Sequence, residues 1–212
     1  MNTGSKLDLL QLTEENEKGN HEGVRSNSWL WNSFQVKDID YNTGREDSLL
    51  IKFLIIANRP RVILETGSCT GITTTAIIEA IIDCPAQQHK FLSIEWDEQR
   101  HKETCERVLF NQLFDPKNCE LNLVKGDTHD REVYKCLGDE KIDFAFVDDS
   151  HRAKTFDVIE PLLSEKAIVV FHDGYQNSIS KLVPKLYAEG RISEYIFFPT
   201  ERTLAICKVS KK

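Results

Sequence analysis

A chain of 212 residues, 40% of them hydrophobic, is long enough for one large domain with a substantial core. Its 27 basic and 34 acidic residues leave a net charge of −7, with no basic stripe to track a phosphate backbone, so a nucleic-acid partner is not expected. No apolar stretch reaches the roughly 18 residues that span a bilayer, so no membrane partner is expected either.

The opening stretch, MNTGSKLDLLQLTEENEKGN, is polar and acidic and reads as neither a secretory signal nor a transit peptide. Residues 28–34, SWLWNSF, carry Trp29, Trp31 and Phe34. They read either as a short helix packed on the body or as a lid over a small-molecule pocket. Residues 1–45 are therefore set apart as a lead-in or lid segment, and residues 46–212 as the main domain. The six cysteines form no CxxC pair, and several fall in apolar periodic segments. They read as reduced, buried thiols, which makes a cytoplasmic location the expectation. Oligomeric state stays open, and the chain is compatible with a homo-oligomer.

From residue 46 the chain alternates. Residues 46–58 have a helical apolar face that ends before Pro60. A short strand follows at 61–66, then a helix at 73–82 that is apolar almost all round and so should be buried. Strand 90–96 leads to a helix at 97–114 whose expected buried face holds Cys105, Val108, Leu109 and Leu113. Strand 119–126 and a short helix at 130–137 come next, then strand 142–149, helix 153–163 and strand 167–173. A helix at 178–190 contains Pro184, and residues 195–209 form two strands around a polar turn. Alternating strands and helices imply a parallel sheet covered on both faces. The last two strands are too close for a helical crossover and must pair antiparallel. The expected fold is α/β, a doubly wound, Rossmann-like, seven-stranded sheet that is parallel except for a C-terminal hairpin strand.

Ligands of such sheets bind at the carboxyl ends of the strands, near the point where strand order reverses. Each parallel strand here ends in acids or other polar groups. The first gives Glu65-Thr66-Gly67-Ser68-Cys69-Thr70-Gly71, the second Glu95-Trp96-Asp97 and the third Gly126-Asp127-Thr128-His129. The fourth gives Asp148-Asp149-Ser150-His151 and the fifth His172-Asp173-Gly174. Gly67 allows a tight turn out of the first strand, and Gly71 a close approach to a ligand or to the next helix. The loop is not G-x-G-x-x-G, and Glu65 precedes it. A carboxylate there would repel a pyrophosphate and suits a cationic ligand. Glu95, ending the second strand, is placed to accept the two hydroxyls of a ribose, as Asp97 and Glu98 already serve the helix dipole. Asp127 and Thr128 read equally as an adenine-edge contact or as a helix cap.

The ordered set VILETGSCTGITTT, FLSIEWDEQR, LVKGDTHD, IDFAFVDDSH and AIVVFHDG resembles the class I S-adenosylmethionine-dependent methyltransferases. It is most similar to small-molecule O-methyltransferases of the catechol and caffeoyl-CoA type and to related bacterial families. The resemblance covers about residues 46–209 and implies transfer of a methyl group from S-adenosylmethionine to a small-molecule acceptor, on oxygen. It implies that Glu65, Thr66, Gly67, Ser68, Gly71 and Thr73 form the loop beside the methionine part of the cofactor. Glu95 would then bind the ribose and Trp96 would flank the adenine. Asp127 and Thr128 would lie near the adenine edge, and Asp148 at the junction of cofactor and acceptor. In cation-dependent members an Asp-Asn pair after strand five joins the strand-four acid on the metal, and a lysine three positions past that acid is the base. Here the pair reads Asp173-Gly174 and the base position is His151. Two chemistries stay open: a divalent cation (magnesium or manganese) held by Asp148, His172 and Asp173, or a metal-free reaction with His151 or His172 as general base beside Asp148. A non-catalytic binding protein of this fold is the alternative reading. A nicotinamide-dependent oxidoreductase is opposed by the missing third glycine and by Glu65.

Overall fold

The computed structural model describes residues 44–84, 87–110 and 118–210. The aromatic segment 28–34, the rest of the lead-in up to residue 43, and Leu113 lie outside the described residues. The chain divides into two units, Met1–Ile39 and Asp40–Lys212, and everything below belongs to the second.

The first described element is helix α1 (Arg45–Asn58), which ends at Arg59 in a left-handed turn just before Pro60. Strand β1 (Val62–Thr66) and helix α2 (Ile72–Ile82) follow, then β2 (His89–Glu95) and α3 (Glu98–Phe110). Strand β3 (Cys119–Lys125) leads into a 3-10 helix (Arg131–Leu137), β4 (Ile142–Val147) and α4 (Arg152–Ile159). Strand β5 (Leu163–Phe171), helix α5 (Asn177–Ala188), β6 (Ile192–Phe198) and β7 (Leu204–Val209) complete the unit.

The strands form one seven-stranded sheet in the order β3-β2-β1-β4-β5-β7-β6. Strands β1 to β5 pair parallel, and β7 runs antiparallel to both β5 and β6. This is the doubly wound arrangement with a reversed hairpin strand that the residue pattern implies. Strand order reverses between β1 and β4, so the crevice beyond their carboxyl ends is the ligand position of this architecture. All five residues of β1 are buried, as a central strand covered on both faces requires. Phe156 of α4, Phe171 of β5 and Val183 of α5 pack into the core on one side. Helix α2 is buried from Thr73 through Ile81, consistent with its all-round apolar sequence, and α1 packs against it.

Three elements depart from the sequence expectation. In α3, Thr104 and Val108 face the core while Leu109 is 76% exposed. Adjacent helical positions point about 100° apart, so Val108 and Leu109 cannot both centre one face. Residues 131–137 wind as a 3-10 helix capped by the Asp130 side chain, too short to sustain an α-helix. Helix α4 ends at Ile159 and tightens into a 3-10 turn carrying Pro161, which lacks the N–H needed to continue the helix, so Leu163 already belongs to β5.

Hydrogen bonding continues past the strand ends and sets the site residues side by side. The Asp148 N–H donates to the Thr66 carbonyl (3.0 Å), His172 N–H to the Val147 carbonyl (3.1 Å) and Gly126 N–H to the Glu95 carbonyl (2.9 Å). Gly67 sits where β1 and β4 part, with φ of 77°. A Cβ there would lie 2.7 Å from the Asp148 carbonyl oxygen. The strain of a left-handed L-residue and the clash with fixed backbone act together. We therefore expect Gly67→Ala to cost about 2–4 kcal/mol of stability in urea unfolding. A loss under about 0.5 kcal/mol, the usual effect of a neutral surface change, would contradict this packing.

Candidate active site

The glycine loop is held by its neighbours rather than left open. Gly67, Cys69 and Gly71 all have left-handed backbone, at φ of 77°, 51° and 80°. The Cys69 N–H donates to Glu95 Oε2 (2.8 Å), and the Cys69 carbonyl accepts from Thr104 Oγ1 (2.9 Å). Ser68 Oγ lies 3.2 Å from Thr104 Oγ1. A Cβ on Gly71 would come 3.1 Å from the Thr104 Cα, so this glycine admits helix α3 rather than the helix it opens. Cys69 thus takes a backbone conformation that favours glycine, at the middle of Glu-x-Gly-x-Cys-x-Gly.

Glu65 lies beneath this loop, fully buried. Its Oε2 accepts hydrogen bonds from Thr74 Oγ1 and Ser93 Oγ, both 2.6 Å, while Oε1 is buried without a hydrogen-bond partner among the described residues. Burial is the main effect on its carboxyl, and the nearby Asp148 and Glu95 charges add to it. Although the two hydroxyls oppose the shift, the pKa is pushed up from 4.5 to about 7. The acid therefore ties β1 to α2 and β2 and is not presented on the surface of the crevice. Thr66 and Thr73 are buried beside it.

Glu95 is 2% exposed, and its other oxygen, Oε1, accepts the Asp97 N–H (3.0 Å). Each oxygen so engaged keeps a second lone pair. The next residue, Trp96, is 70% exposed. Asp127 is exposed and accepts the His129 N–H (2.9 Å) in the turn before the 3-10 helix, whose cap is Asp130. Thr128 is buried, with Oγ1 donating to Asp149 Oδ2 (3.2 Å). Asp149 in turn accepts from Thr155 Oγ1 (2.7 Å) and from the His151 N–H (2.9 Å), holding the start of α4.

The charged centre lies at the ends of β4 and β5. His172 Nδ1 lies 2.9 Å from Asp148 Oδ1, and its Nε2 faces Asp47 Oδ2 at 3.7 Å. That span is beyond a normal hydrogen bond, and both atoms are buried without a hydrogen-bond partner among the described residues. Burial disfavours the imidazolium, but the hydrogen bond to Asp148 and the nearby carboxylates of Asp47 and Asp173 outweigh it and push the pKa from 6.5 to about 9. Asp47 is fully buried and also accepts a hydrogen bond from Thr200 Oγ1. A single guanidinium nitrogen of Arg152 stands 2.6 Å from Asp148 Oδ1 and 2.8 Å from Asp173 Oδ2. Arg202 approaches Asp173 Oδ1 at 3.7 Å.

The expected residues thus separate. Asp148, His172 and Asp173 come together, with one ligand-type atom from each within 4.8 Å of the others. His151 does not join them. It is exposed, 2.9 Å from Ser150 Oγ, with its ring edge-on to His129 at 5.7 Å. Arg152 and Asp47 were missed. Arg152 opens α4 while Asp148 lies in the turn before it, so no helical spacing links the two in the sequence. Asp47 reads from sequence as an ordinary first-turn acid of α1, and nothing local ties it to His172.

With the geometry in hand, the class of the protein follows from comparison. Residues 64–174 match the family described as "Methyltransferase domain", and the chain belongs to that family. No curated protein matches it significantly. Among solved structures, it is similar to the Podospora anserina methyltransferase PaMTH1 bound to SAH. The identity there is 17% and the TM-score 0.67, over 100% of this chain and 99% of that one. It is also similar to the O-methyltransferase TomG of Streptomyces achromogenes, involved in tomaymycin synthesis and solved with SAM. That pair shares 16% identity at a TM-score of 0.65, over 82% and 83% of the two chains. An O-methyltransferase from Bacillus cereus in complex with SAH gives 14% identity and a TM-score of 0.64, over 81% and 84%. At these identities the shared property is the fold.

The buried Glu65 makes stability depend on pH. At low pH the carboxyl is protonated in both states and costs nothing. As pH rises from 4.5 towards 7, the unfolded chain releases a proton that the folded one keeps, so the cost grows and is complete above the folded value. A shift of this size corresponds to about 3 kcal/mol. Gln is isosteric with the protonated acid. Glu65→Gln should therefore melt higher than the parent at pH 8, with the difference shrinking as pH falls and vanishing only below the unfolded value of 4.5, as read by thermal denaturation across pH. A difference independent of pH would refute the shift.

Proposed function

We propose that the protein transfers a methyl group from S-adenosylmethionine to an oxygen of a small-molecule acceptor, with the reaction carried by residues 46–212 and residues 1–45 as the appended segment. The observation that carries this reading is Glu95. It ends β2 with one oxygen on the loop N–H of Cys69 and one on Asp97, and the exposed Trp96 follows it. A carboxylate fixed in this way, with a lone pair left on each oxygen, suits the paired hydroxyls of a ribose, and the open indole face suits an adenine. The bound SAM and SAH of the similar structures support a nucleoside cofactor on this fold. The buried, partly neutral Glu65 organises the loop from beneath. Thr66, Gly67, Ser68, Gly71 and Thr73 would form the wall on the methionine side, and Asp127 and Thr128 the far edge of the adenine.

The cofactor supplies a methyl group activated on a sulfonium, and the protein must align an oxygen with it. Asp148 follows β4, next to the reversal of strand order. Its backbone abuts Gly67, and its Oδ1 is fixed by Arg152 and His172. Oδ2 has no such bond and is assigned to the acceptor hydroxyl. The hydroxyl proton becomes strongly acidic as the new C–O bond forms, so a carboxylate at hydrogen-bond distance can receive it while the methyl leaves the sulfonium. His172 is 3% exposed with both nitrogens turned to carboxylates, and we assign it to orienting Asp148. His151, exposed and turned towards His129, is left outside this step.

A small-molecule acceptor and a cytoplasmic setting complete the reading. All six cysteines are unpaired, as a reducing compartment allows. No helix among the described residues is long and apolar enough to cross a membrane. Calorimetric titration with S-adenosylhomocysteine and with NAD tests the proposal. The first should bind and the second should not, and Glu95→Gln should weaken binding by about 10–100-fold, the worth of a hydrogen bond to a charged group. Binding of NAD alone, or unchanged affinity in the variant, would sink it.

A further inference from the structure

Asp148, His172 and Asp173 place three ligand-type atoms within 4.8 Å of one another, a span that one ion could satisfy. The position between the two carboxylates is nevertheless taken. The same Arg152 nitrogen is 2.6 Å from Asp148 Oδ1 and 2.8 Å from Asp173 Oδ2, which is the bridging point an ion would need. His172 Nδ1 approaches Asp148 Oδ1 at 2.9 Å and must carry a proton to do so, so its lone pair is not offered to a metal. The Arg152 side chain is only 10% exposed and rises from the first turn of α4, so it is not a surface group passing by. Three carboxylates, Asp47, Asp148 and Asp173, face Arg152, His172 and Arg202. A divalent ion at that bridging point would have to expel the guanidinium, which cannot lose its charge to make room.

We propose that Arg152 is the resident cation of this centre, occupying the metal position and making the site independent of divalent ions. In terms of the methyl-transfer reading, on which this part rests, Arg152 is a positioning residue. It fixes Asp148 Oδ1 and Asp173 Oδ2 and leaves Asp148 Oδ2 for the acceptor. No Lewis acid is there to be chelated, so the acceptor does not need a vicinal pair of oxygens, and a single hydroxyl suffices.

The test reads metal directly on the full chain without cofactor, so its failure is separate from failure of nucleoside binding. Mn2+ is titrated and its free paramagnetic resonance signal followed. The parent should leave Mn2+ free into the millimolar range. Arg152→Ala should gain one Mn2+ site, with affinity raised about tenfold or more, because two buried carboxylates lose their cation. Mn2+ should also raise the melting temperature of that variant but not of the parent. The gained site should vanish in Arg152→Ala combined with Asp173→Asn. If Arg152→Ala does not fold, Arg152→Gln keeps a neutral polar side chain that stops short of the two carboxylates and serves the same readouts. A parent that binds one Mn2+ and loses it in Asp173→Asn would overturn the proposal. So would a folded Arg152 variant that gains no site.

Discussion

Three carboxylates converge beyond the ends of β4 and β5, and most of the surrounding structure answers the repulsion among them. Two like charges 4 Å apart near a protein surface repel by about 4 kcal/mol. Arg152 relieves this by bridging Asp148 and Asp173, while His172 stands between Asp148 and Asp47. The burial of these groups makes the arrangement obligatory, since an uncompensated charge in such a place costs several kcal/mol. Helix α1 is drawn in by the same constraint, as it delivers Asp47 to the imidazole from one side while the turn before β7 holds it through Thr200.

The sheet turns that cluster into a site. Backbone bonds at the strand ends put Asp148 beside Thr66 and His172 beside Val147, so the charged centre lies next to the glycine loop across the reversal of strand order. The glycines of the loop serve this proximity. Gly67 lets β1 pass the carbonyl of Asp148, and Gly71 lets α3 come close. Glu95 fastens the loop from the far side through the Cys69 N–H. In the proposed reaction these two regions face each other. On that reading one takes the nucleoside, and the other offers Asp148 Oδ2, unbonded among the described residues, to the acceptor.

Much of the fold was legible because its signals are local. Apolar runs of strand length alternate with helical periods, and the short polar link before β7 forces an antiparallel pair. Local signals failed where competing preferences meet, as at Pro161, or where two apolar neighbours such as Val108 and Leu109 compete for one helix face. The strand-end residues were also legible, since topology alone delivers them to one end of the sheet. Their roles were less so. Glu65 reads from sequence as an acid aimed into the loop, yet it lies under the loop with a raised pKa, because the partners that enclose it, Thr74 and Ser93, come from α2 and β2. His151 and Arg152 are adjacent in sequence and diverge in space, and only the start of α4 decides which of them enters the centre. The pairing of Asp47 with His172 joins the first described helix to the end of β5 and left no mark in either segment.

The most direct measurement is a crystal structure of the full chain with S-adenosylhomocysteine, grown in the presence of Mg2+. The account predicts the ribose hydroxyls on Glu95, the adenine against Trp96, the sulfur on the Asp148 side of the loop, and Arg152 still between Asp148 and Asp173. A nucleoside bound away from Glu95, or a metal ion between the two aspartates with Arg152 displaced, would contradict it.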